Sequence, residues 1–554
     1  MRLNVGFFHV YKVLLVYGTR VTLIYRRFAL FICANLFAFF QFILHFDWIR
    51  WNNLISTPYP IVRSADSRTY LGKVKEIILD NNTSVILANT ESVANSGGVS
   101  YILWFWGKIG YVLSFNVFQV YLLMTFFTAF LTFLSLYYLI SRVVERKLLS
   151  IVATLVIAFV VIQNNLDRPS LTQLSLWITF LYVGAIIDYF REKKSSKLLI
   201  IFSTFILTIF SNPFYSIFSC IFLFLMAVYN KGKLDLIFKL VSILIAFICL
   251  IYFIKIQASN PEILQMQLRN GVLFDRYPSA VNLILVCIFP IALLVLIHIV
   301  NLPKIRHSSF IIISMASLII SINSNLITGK VFEMESHYRL LAHILVGVSL
   351  TLILIENFGF MLLRFMILGI LLLSGFNLLN NFTTDKDSDF IPWTKKEISL
   401  FDELKRPSYK DVVVLGSSNL KNPDLLSYIP LYTDSKVYWN ELIFNEKITD
   451  TEILNRFACT IPKGYSFNKF QNEDYPRIFA HKFINAEYRY PKWNKVMKLL
   501  GKEVFSLDAI RFEKLKQFNQ LIGIYESKCT TGKFLYKIDY ILDQDLNLKK
   551  VSKW

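Results

Sequence analysis

A polar stretch in an otherwise apolar chain holds the residues best suited to acid–base chemistry. Residues 60–74 read PIVRSADSRTYLGKV and combine one acid with two arginines and a tyrosine: Asp66, Arg63, Arg68 and Tyr70. If Ser64 caps a helix here, Asp66 and Tyr70 lie near one face of it. The structural interpretation is an amphipathic helix on the membrane surface. The chemical interpretation is a general base, Asp66, whose pKa is raised by partial desolvation.

Cations in later loops offer partners for an anionic group. Together with Arg68 they are Arg168, Arg276, His337 and Arg339, and the acids Asp167 and Glu335 lie beside them. Each cation alone is typical of an anchor for lipid headgroups. As a set they suit a lipid phosphate, because a guanidinium pairs bidentately with phosphate oxygens and offsets leaving-group charge. The two acids either hold a metal or sugar hydroxyls, or pair with the neighbouring arginines, while Arg63 and Tyr70 are expected to support Asp66.

The composition excludes an ordinary soluble protein. Of the 554 residues, 55% are hydrophobic, 16% are aromatic and only 17% are charged, which is typical of a polytopic membrane protein. The net charge of +20 could suggest a nucleic-acid partner. However, the basic residues flank apolar runs or are scattered, and they form no stripe, so the expected partners are membrane lipids and no nucleic acid.

About eleven apolar runs approach the roughly 20 residues that a membrane helix needs. They are residues 28–46, 116–140, 148–164, 171–190, 198–211, 213–229, 236–254, 281–300, 309–326, 340–356 and 361–380. Basic segments such as 141–147 and 191–197 separate alternate runs. The positive-inside rule therefore predicts that these segments and the interfacial segment 1–27 are cytoplasmic. An odd number of spans then puts the long first loop, 47–115, and the C-terminal residues 381–554 outside.

The predicted fold is mainly α, a polytopic membrane helix bundle over residues 28–380 with a small extracytoplasmic α/β domain at 381–554. In that domain a helix-like segment at 394–406 precedes strand-like segments at 411–416 and 435–440. Cys459 and Cys529 also fall there. These two cysteines either form a disulfide, which requires an oxidising compartment, or remain free thiols.

Signatures of soluble nucleotide and zinc enzymes are missing. The sequence has no Walker A loop, no GxGxxG after a strand, no HExxH and no CxxC. The segment DKDSDF at 385–390 contains a DxD pattern, which can hold a metal ion and a nucleotide diphosphate, but the segment is expected on the outer face, where nucleotide sugars are scarce. It also resembles the start of an EF-hand loop. That interpretation fails because Phe390 replaces the required glycine and Lys396 stands where the bidentate Glu belongs. We interpret it as a juxtamembrane linker. No cofactor is predicted, and a divalent cation is left open.

The layout resembles the GT-C superfamily of membrane glycosyltransferases, which use polyprenyl-phosphate sugars as donors. The likeness is carried by SADSRTYL in the first outer loop, by ESHYRLLA at the start of a late span, and by a C-terminal domain with SYIPLYTDSKVYWN after DVVVLG. The resemblance implies that Asp66 deprotonates the acceptor hydroxyl of a glycan, lipid or protein. It also implies that Arg339 contacts the donor phosphate and that the sugar is transferred with inversion in one displacement. Many members pair two acids in the first loop, whereas Ser67 follows Asp66 here, which leaves metal dependence open.

Three other classes of function fit parts of the pattern. An O-antigen or capsule repeat polymerase is also multi-span and fed by lipid-linked sugar, but it typically has its large loop between late spans. A transporter or flippase for lipid-linked sugars is expected to place charges near the bilayer middle and to show internal repeats. A non-catalytic scaffold is the third. Charges that crowd the span ends favour the transferase, in a bacterial cytoplasmic membrane with the C-terminal domain in the periplasm.

Overall fold

The fold is described from a computed structural model of the chain. It describes residues 27–42, 65–80, 101–144, 147–162, 171–230, 281–299, 307–328, 337–354, 393–417, 420–422, 424–440, 448–475, 508–531 and 534–551, with the isolated positions 238, 241–245, 247–248, 265, 478 and 498. The predicted interfacial segment 1–27 lies outside these residues except for its last position.

The described part of the chain is mainly helical. In the first 354 residues the helices are α1 (Arg27–Phe42), α2 (Ala65–Asp80), α3 (Tyr101–Leu113), α4 (Val117–Val143), α5 (Lys147–Ile157, continued by a π-helical turn at Ala158–Ile162), α6 (Leu171–Glu192), α7 (Ser195–Ser211), α8 (Pro213–Tyr229), α9 (Val281–Ile299), α10 (Ser308–Ile322), a four-residue helix at Asn325–Thr328, and α11 (His337–Leu354). Helices α4 to α11 pack against one another around a single apolar core, which α1 joins.

Local sequence explains where these helices begin. Asn116 caps α4, because its Oδ1 accepts from the backbone N–H groups of Phe118 and Gln119 at 3.0 Å each. At SNPF, Asn212 Oδ1 accepts from the N–H of Phe214 at 3.1 Å and Pro213 takes the first helical position of α8. The SNPF segment is therefore a tight turn between two separate helices.

The predicted number of about eleven spans is not supported. In the described part of the chain four helices, α4, α6, α9 and α11, are long and apolar enough to cross a membrane. Helices α8 and α10 are apolar but have only 17 and 15 residues. At about 1.5 Å per residue they span roughly 26 and 23 Å, short of a hydrocarbon core of about 30 Å. The predicted run at 361–380 lies outside the described residues, as does most of the run at 236–254.

The C-terminal region contains the predicted small α/β fold. Its elements are α12 (Lys395–Leu404), a 3₁₀ turn at Pro407–Tyr409, β1 (Val413–Gly416), α13 (Leu425–Tyr432), β2 (Lys436–Val437), α14 (Asp450–Ala458), a short helix at Phe467–Lys469 with a π-helical turn at Phe470–Asp474, α15 (Asp508–Ile524) with a π-helical turn at Tyr525–Cys529, β3 (Tyr540–Leu542) and β4 (Leu548–Lys550). The sheet order is β2-β1-β3-β4, with β1 parallel to β2 and β3, and β3 antiparallel to β4. Strand β1 is buried throughout, as its apolar sequence VVLG predicts.

A disulfide joins Cys459, which follows α14, to Cys529, which follows α15, with 5.1 Å between their Cα atoms. The structure therefore selects the bonded alternative for this pair. The core of the C-terminal region also includes residues of α2, α3 and the first turns of α4, such as Leu71, Trp106 and Val120. The first-loop helices and the C-terminal region thus form one body at one end of the helix bundle.

Candidate functional site

The helix predicted around Asp66 is present as α2, whose first turn contains this residue. The backbone placement of Asp66 is described, whereas its side chain and the expected cap Ser64 lie outside the described part of the chain. A carboxylate in the first turn of a helix is stabilised as the anion by the helix dipole. The anion is the form that accepts a proton, although the same stabilisation weakens it as a base.

Arg68 lies one turn into α2 and is buried against α13. Its Nη1 donates to Ser427 Oγ at 2.7 Å and lies 3.7 Å from Asp424 Oδ1, and its guanidinium carbon is 5.1 Å from the centre of the Tyr428 ring. Only 7% of the side chain is exposed. We predicted that Arg68 faces a lipid phosphate, but the structure places it against the C-terminal region, so phosphate binding would require it to leave these partners.

Lys75 makes a second connection two turns further along α2. Its Nζ donates to the carbonyl oxygen of Pro430 at 2.8 Å and to that of Thr433, and it lies 3.7 Å from Asp434 Oδ1. These carbonyls belong to the C-terminal end of α13, where helix carbonyls lack partners within the helix. Burial lowers the pKa of Lys75, and the charge of Asp434 opposes that shift.

The apolar side of α2 packs inside the protein. Tyr70 is half-buried against the core of the C-terminal region, while Val74 and Ile77 have no exposed surface. A Cβ added to Gly107 of α3 would lie 2.6 Å from Ile77, so the two helices approach closely. We expected this stripe to rest on the membrane surface. That prediction was wrong, because an apolar stripe of this period can pack on a protein neighbour as well as on a lipid surface.

The start of α11 packs against the SNPF turn. The ring of His337 stacks on that of Phe214 with 3.9 Å between centroids, and the buried Tyr338 donates its hydroxyl to the carbonyl oxygen of Phe214 at 2.6 Å. Arg339 is exposed. Sequence reasoning missed Phe214, because the HYR and SNPF segments are far apart in the chain.

Two further contacts bring α3 to the SNPF turn and residue 265 to the C-terminal region. Tyr101 of α3 packs on Phe210 in the last turn of α7, with 4.7 Å between ring centres, close to the SNPF turn. The backbone N–H of Asp450 donates to Gln265 Oε1 at 3.0 Å, which brings one residue of the predicted loop before α9 to the C-terminal region. The other predicted site residues lie outside the described part of the chain: Arg63, Asp167, Arg168, Arg276 and Glu335.

Buried polar atoms line one side of α8. Asn212 Nδ2, Tyr215 Oη and Ser219 Oγ are buried without a hydrogen-bond partner among the described residues. Their spacing of three and four residues places them on one side of the helix. Groups of this kind are normally satisfied by water or by a polar ligand. The repeated polar residues in SNPFYSIFS are the sequence signal for this polar face.

The opposite end of the bundle contains a charged cluster around Asp188, which is 1% exposed. Its carboxylate lies 3.0 Å from Arg142 Nε, and it accepts from Lys197 Nζ at 2.8 Å and from the Tyr138 hydroxyl at 2.7 Å. These residues join the ends of α4 and α6 to the start of α7. Three neighbouring groups hold this carboxylate, so we assign it a structural role in connecting the helices.

In the described part of the chain, no group of three or more His, Cys, Asp or Glu side chains is placed to hold a metal ion. No family model matches the chain, and no curated protein matches its sequence. Function is therefore inferred from the chemistry and placement of the residues.

Proposed function

We propose that the chain is a membrane glycosyltransferase that moves a sugar from a polyprenyl-phosphate donor to a hydroxyl of a glycan, lipid or protein. The observation that carries the proposal is the position of α2. This helix bears Asp66 in its first turn, and Arg68 and Lys75 fix it between the helix bundle and the C-terminal region. An acid held where a membrane bundle meets a soluble region suits a reaction between a membrane-bound donor and a polar acceptor.

The reaction requires one base and a stabilised leaving group. Asp66 takes the proton from the acceptor hydroxyl while the acceptor oxygen bonds to the anomeric carbon of the sugar. The bond between that carbon and the phosphate oxygen breaks, and polyprenyl phosphate leaves with the electron pair. Arg339 offsets the charge of the phosphate, and one displacement inverts the anomeric configuration. The energy comes from the sugar–phosphate bond, so no nucleotide is required at this site.

Two features support placing this end of the bundle on the outer side of the membrane. The disulfide between Cys459 and Cys529 belongs to the C-terminal region, and disulfides persist in oxidising compartments. The basic segments 141–147 and 191–197 adjoin the opposite end, where Arg142 and Lys197 contact Asp188. Basic loops are typical of the cytoplasmic side. A bacterial cytoplasmic membrane with a periplasmic C-terminal region fits both features.

A transporter of lipid-linked sugar is the second candidate. It is favoured by the buried polar atoms of Asn212, Tyr215 and Ser219 inside the bundle, since a polar headgroup that crosses a membrane needs such partners. A transporter would move the donor intact, whereas the transferase cleaves it. The two functions are therefore distinguished by the fate of the sugar–phosphate bond.

The test uses purified full-length protein in proteoliposomes with a panel of radiolabelled polyprenyl-phosphate sugars and a crude glycan and lipid acceptor fraction. The transferase predicts release of polyprenyl phosphate together with labelled acceptor. Arg339→Ala should raise the KM for the donor, whereas Lys396→Ala, at an exposed position of the C-terminal region, should leave it unchanged. Movement of intact donor across the bilayer without cleavage would reject the transferase and support the transporter.

A further inference from the structure

Helices α2 and α13 run in the same direction, and polar contacts join them near the start and near the end of α13. Near the start of both helices Arg68 contacts Ser427 and Asp424, and near the end of α13 Lys75 contacts the carbonyl oxygens of Pro430 and Thr433. The two cations are seven positions apart in the sequence, which corresponds to about two helical turns and 10 Å along the helix axis. Contacts at two heights prevent α2 from tilting or rotating against α13.

The register of α2 relates these contacts to Asp66. Each helical residue turns the chain by about 100°, so Arg68 and Lys75 lie within about 20° of each other on one side. Position 66 lies two residues before Arg68, about 200° around the axis, and therefore on the side of α2 that faces away from α13. A rotation of α2 that breaks the contacts would thus move position 66 by a comparable angle.

We propose that Arg68 and Lys75 are positioning residues, which clamp α2 to α13 and thereby fix the backbone position of residue 66, so that the C-terminal region is a required part of the catalytic unit. This inference rests on the proposed transferase function. The two cations act through α2 and do not contact the substrate. Loss of either one removes a contact with α13: that with Ser427 and Asp424 at its start, or that with the carbonyl oxygens at its end.

Arg68 and Lys75 can be replaced without burying an unpaired acid, because their acidic partners are exposed to solvent. The side chains of Arg68 and Lys75 are 7% and 14% exposed, whereas their acidic partners Asp424 and Asp434 are 56% and 54% exposed. The acids can therefore accept a cation without being buried themselves. Lys75→Met removes the ammonium but keeps the chain length, and Lys75→Arg restores a donor to the same carbonyls.

The experiment measures backbone hydrogen exchange in residues 65–80 of the purified full-length protein, together with kcat and KM for sugar transfer. Arg68→Met and Lys75→Met should each speed exchange in α2 about 10-fold to 100-fold, because a hydrogen bond to a charged group contributes about 1.5–3 kcal/mol. The kcat should fall at least about tenfold with little change in the KM for the donor. Lys75→Arg should restore both. Lys436→Met, which removes the partner of Asp411 in a different ion pair of the C-terminal region, serves as the matched control and should change neither.

A milder variant covers the case in which a methionine variant fails to fold. Ser427→Ala removes the hydroxyl that accepts from Arg68 Nη1 at 2.7 Å, and it should speed exchange in α2 less than Arg68→Met does. Unchanged exchange in α2 of Lys75→Met would overturn the clamp. Faster exchange with unchanged kcat would overturn the positioning role. If the wild-type protein cleaves no donor while exchange responds as expected, the proposed function fails and the positioning role falls with it, whereas the contact between α2 and α13 stands.

Discussion

Replacing Glu452 by glutamine removes the negative charge that pairs with a completely buried arginine. Arg456 is 0% exposed, and its Nε and Nη2 donate to Glu452 Oε1 at 2.9 and 2.8 Å. Its third contact, from Nη1 to the carbonyl oxygen of Tyr438, is 3.2 Å long, and the guanidinium lies 4.1 Å from the centre of the Tyr536 ring. The amide of a glutamine would keep an acceptor in place but leave the buried cation without a counter-charge.

The structure sets the size of the effect. Breaking a buried ion pair by removing one partner costs about 3 kcal/mol or more, because the remaining charge cannot reach water. With a urea dependence of about 2 kcal/mol per molar, the unfolding midpoint of the C-terminal region should fall by roughly 1.5 M. The double variant Glu452→Gln with Arg456→Met removes the unpaired charge and should regain most of this loss.

Pulse proteolysis of the detergent-purified full-length protein in urea, with cleavage mapped to the C-terminal region, measures this midpoint. The matched control is Asp411→Asn, which breaks the ion pair of Asp411 with Lys436 at 3.5 Å, where the side chains are 64% and 32% exposed. An exposed pair contributes about 0–1 kcal/mol, and Asn tolerates the positive φ of 61° at this position. A midpoint that falls no further for Glu452→Gln than for Asp411→Asn would show that the pair of Glu452 and Arg456 is not desolvated.

Three further predictions concern other parts of the molecule. Cys459→Ser should lower the free energy of unfolding by about 4 kcal/mol, the loop-entropy value for a disulfide between cysteines 70 residues apart. Urea titration without reductant measures this loss, and reduced wild-type protein should show an equal one. No loss would contradict the bond to Cys529. Asp188→Ala should destabilise the helix bundle by about 2 kcal/mol, which is less than the loss of a fully buried ion pair because Arg142 and Lys197 are partly exposed. The melting temperature in detergent should therefore fall, and it should fall less for Asp188→Asn. An unchanged melting temperature would contradict the contacts of Asp188. A hydrogen bond to Glu403 raises the pKa of Tyr409 to about 12, so its contribution to stability is complete below about pH 10 and is lost as the pH rises toward 12. The stability difference between wild type and Tyr409→Phe should therefore shrink over that interval, and a constant difference would contradict this.

Local patterns predicted the elements around the site well. Residues 65–80 show an amphipathic period, and they form α2. The apolar run at 411–416 contains β1, and the segment 394–406 contains α12 with its capping box of Thr394 and Glu397. In each case the information lies within a few residues of the element itself.

Long-range contacts could not be predicted in the same way. Arg68 and Ser427 are 359 residues apart, and a buried arginine has the same sequence neighbours as one that faces a lipid headgroup. The number of spans also failed, because an apolar run shows composition but not whether its helix is long enough, as α10 with 15 residues shows. Asp188 was missed because its partners lie on α4 and α7.

The rate of donor cleavage shows whether Asp66 is the base for sugar transfer. The initial rate of polyprenyl phosphate release in proteoliposomes is compared between the wild-type protein and Asp66→Asn, with equal membrane insertion and equal hydrogen exchange in α2 as controls. Loss of a general base lowers the rate about 10²-fold to 10⁴-fold, and we expect a loss in that range. Release at the wild-type rate by Asp66→Asn would show that Asp66 is not the base.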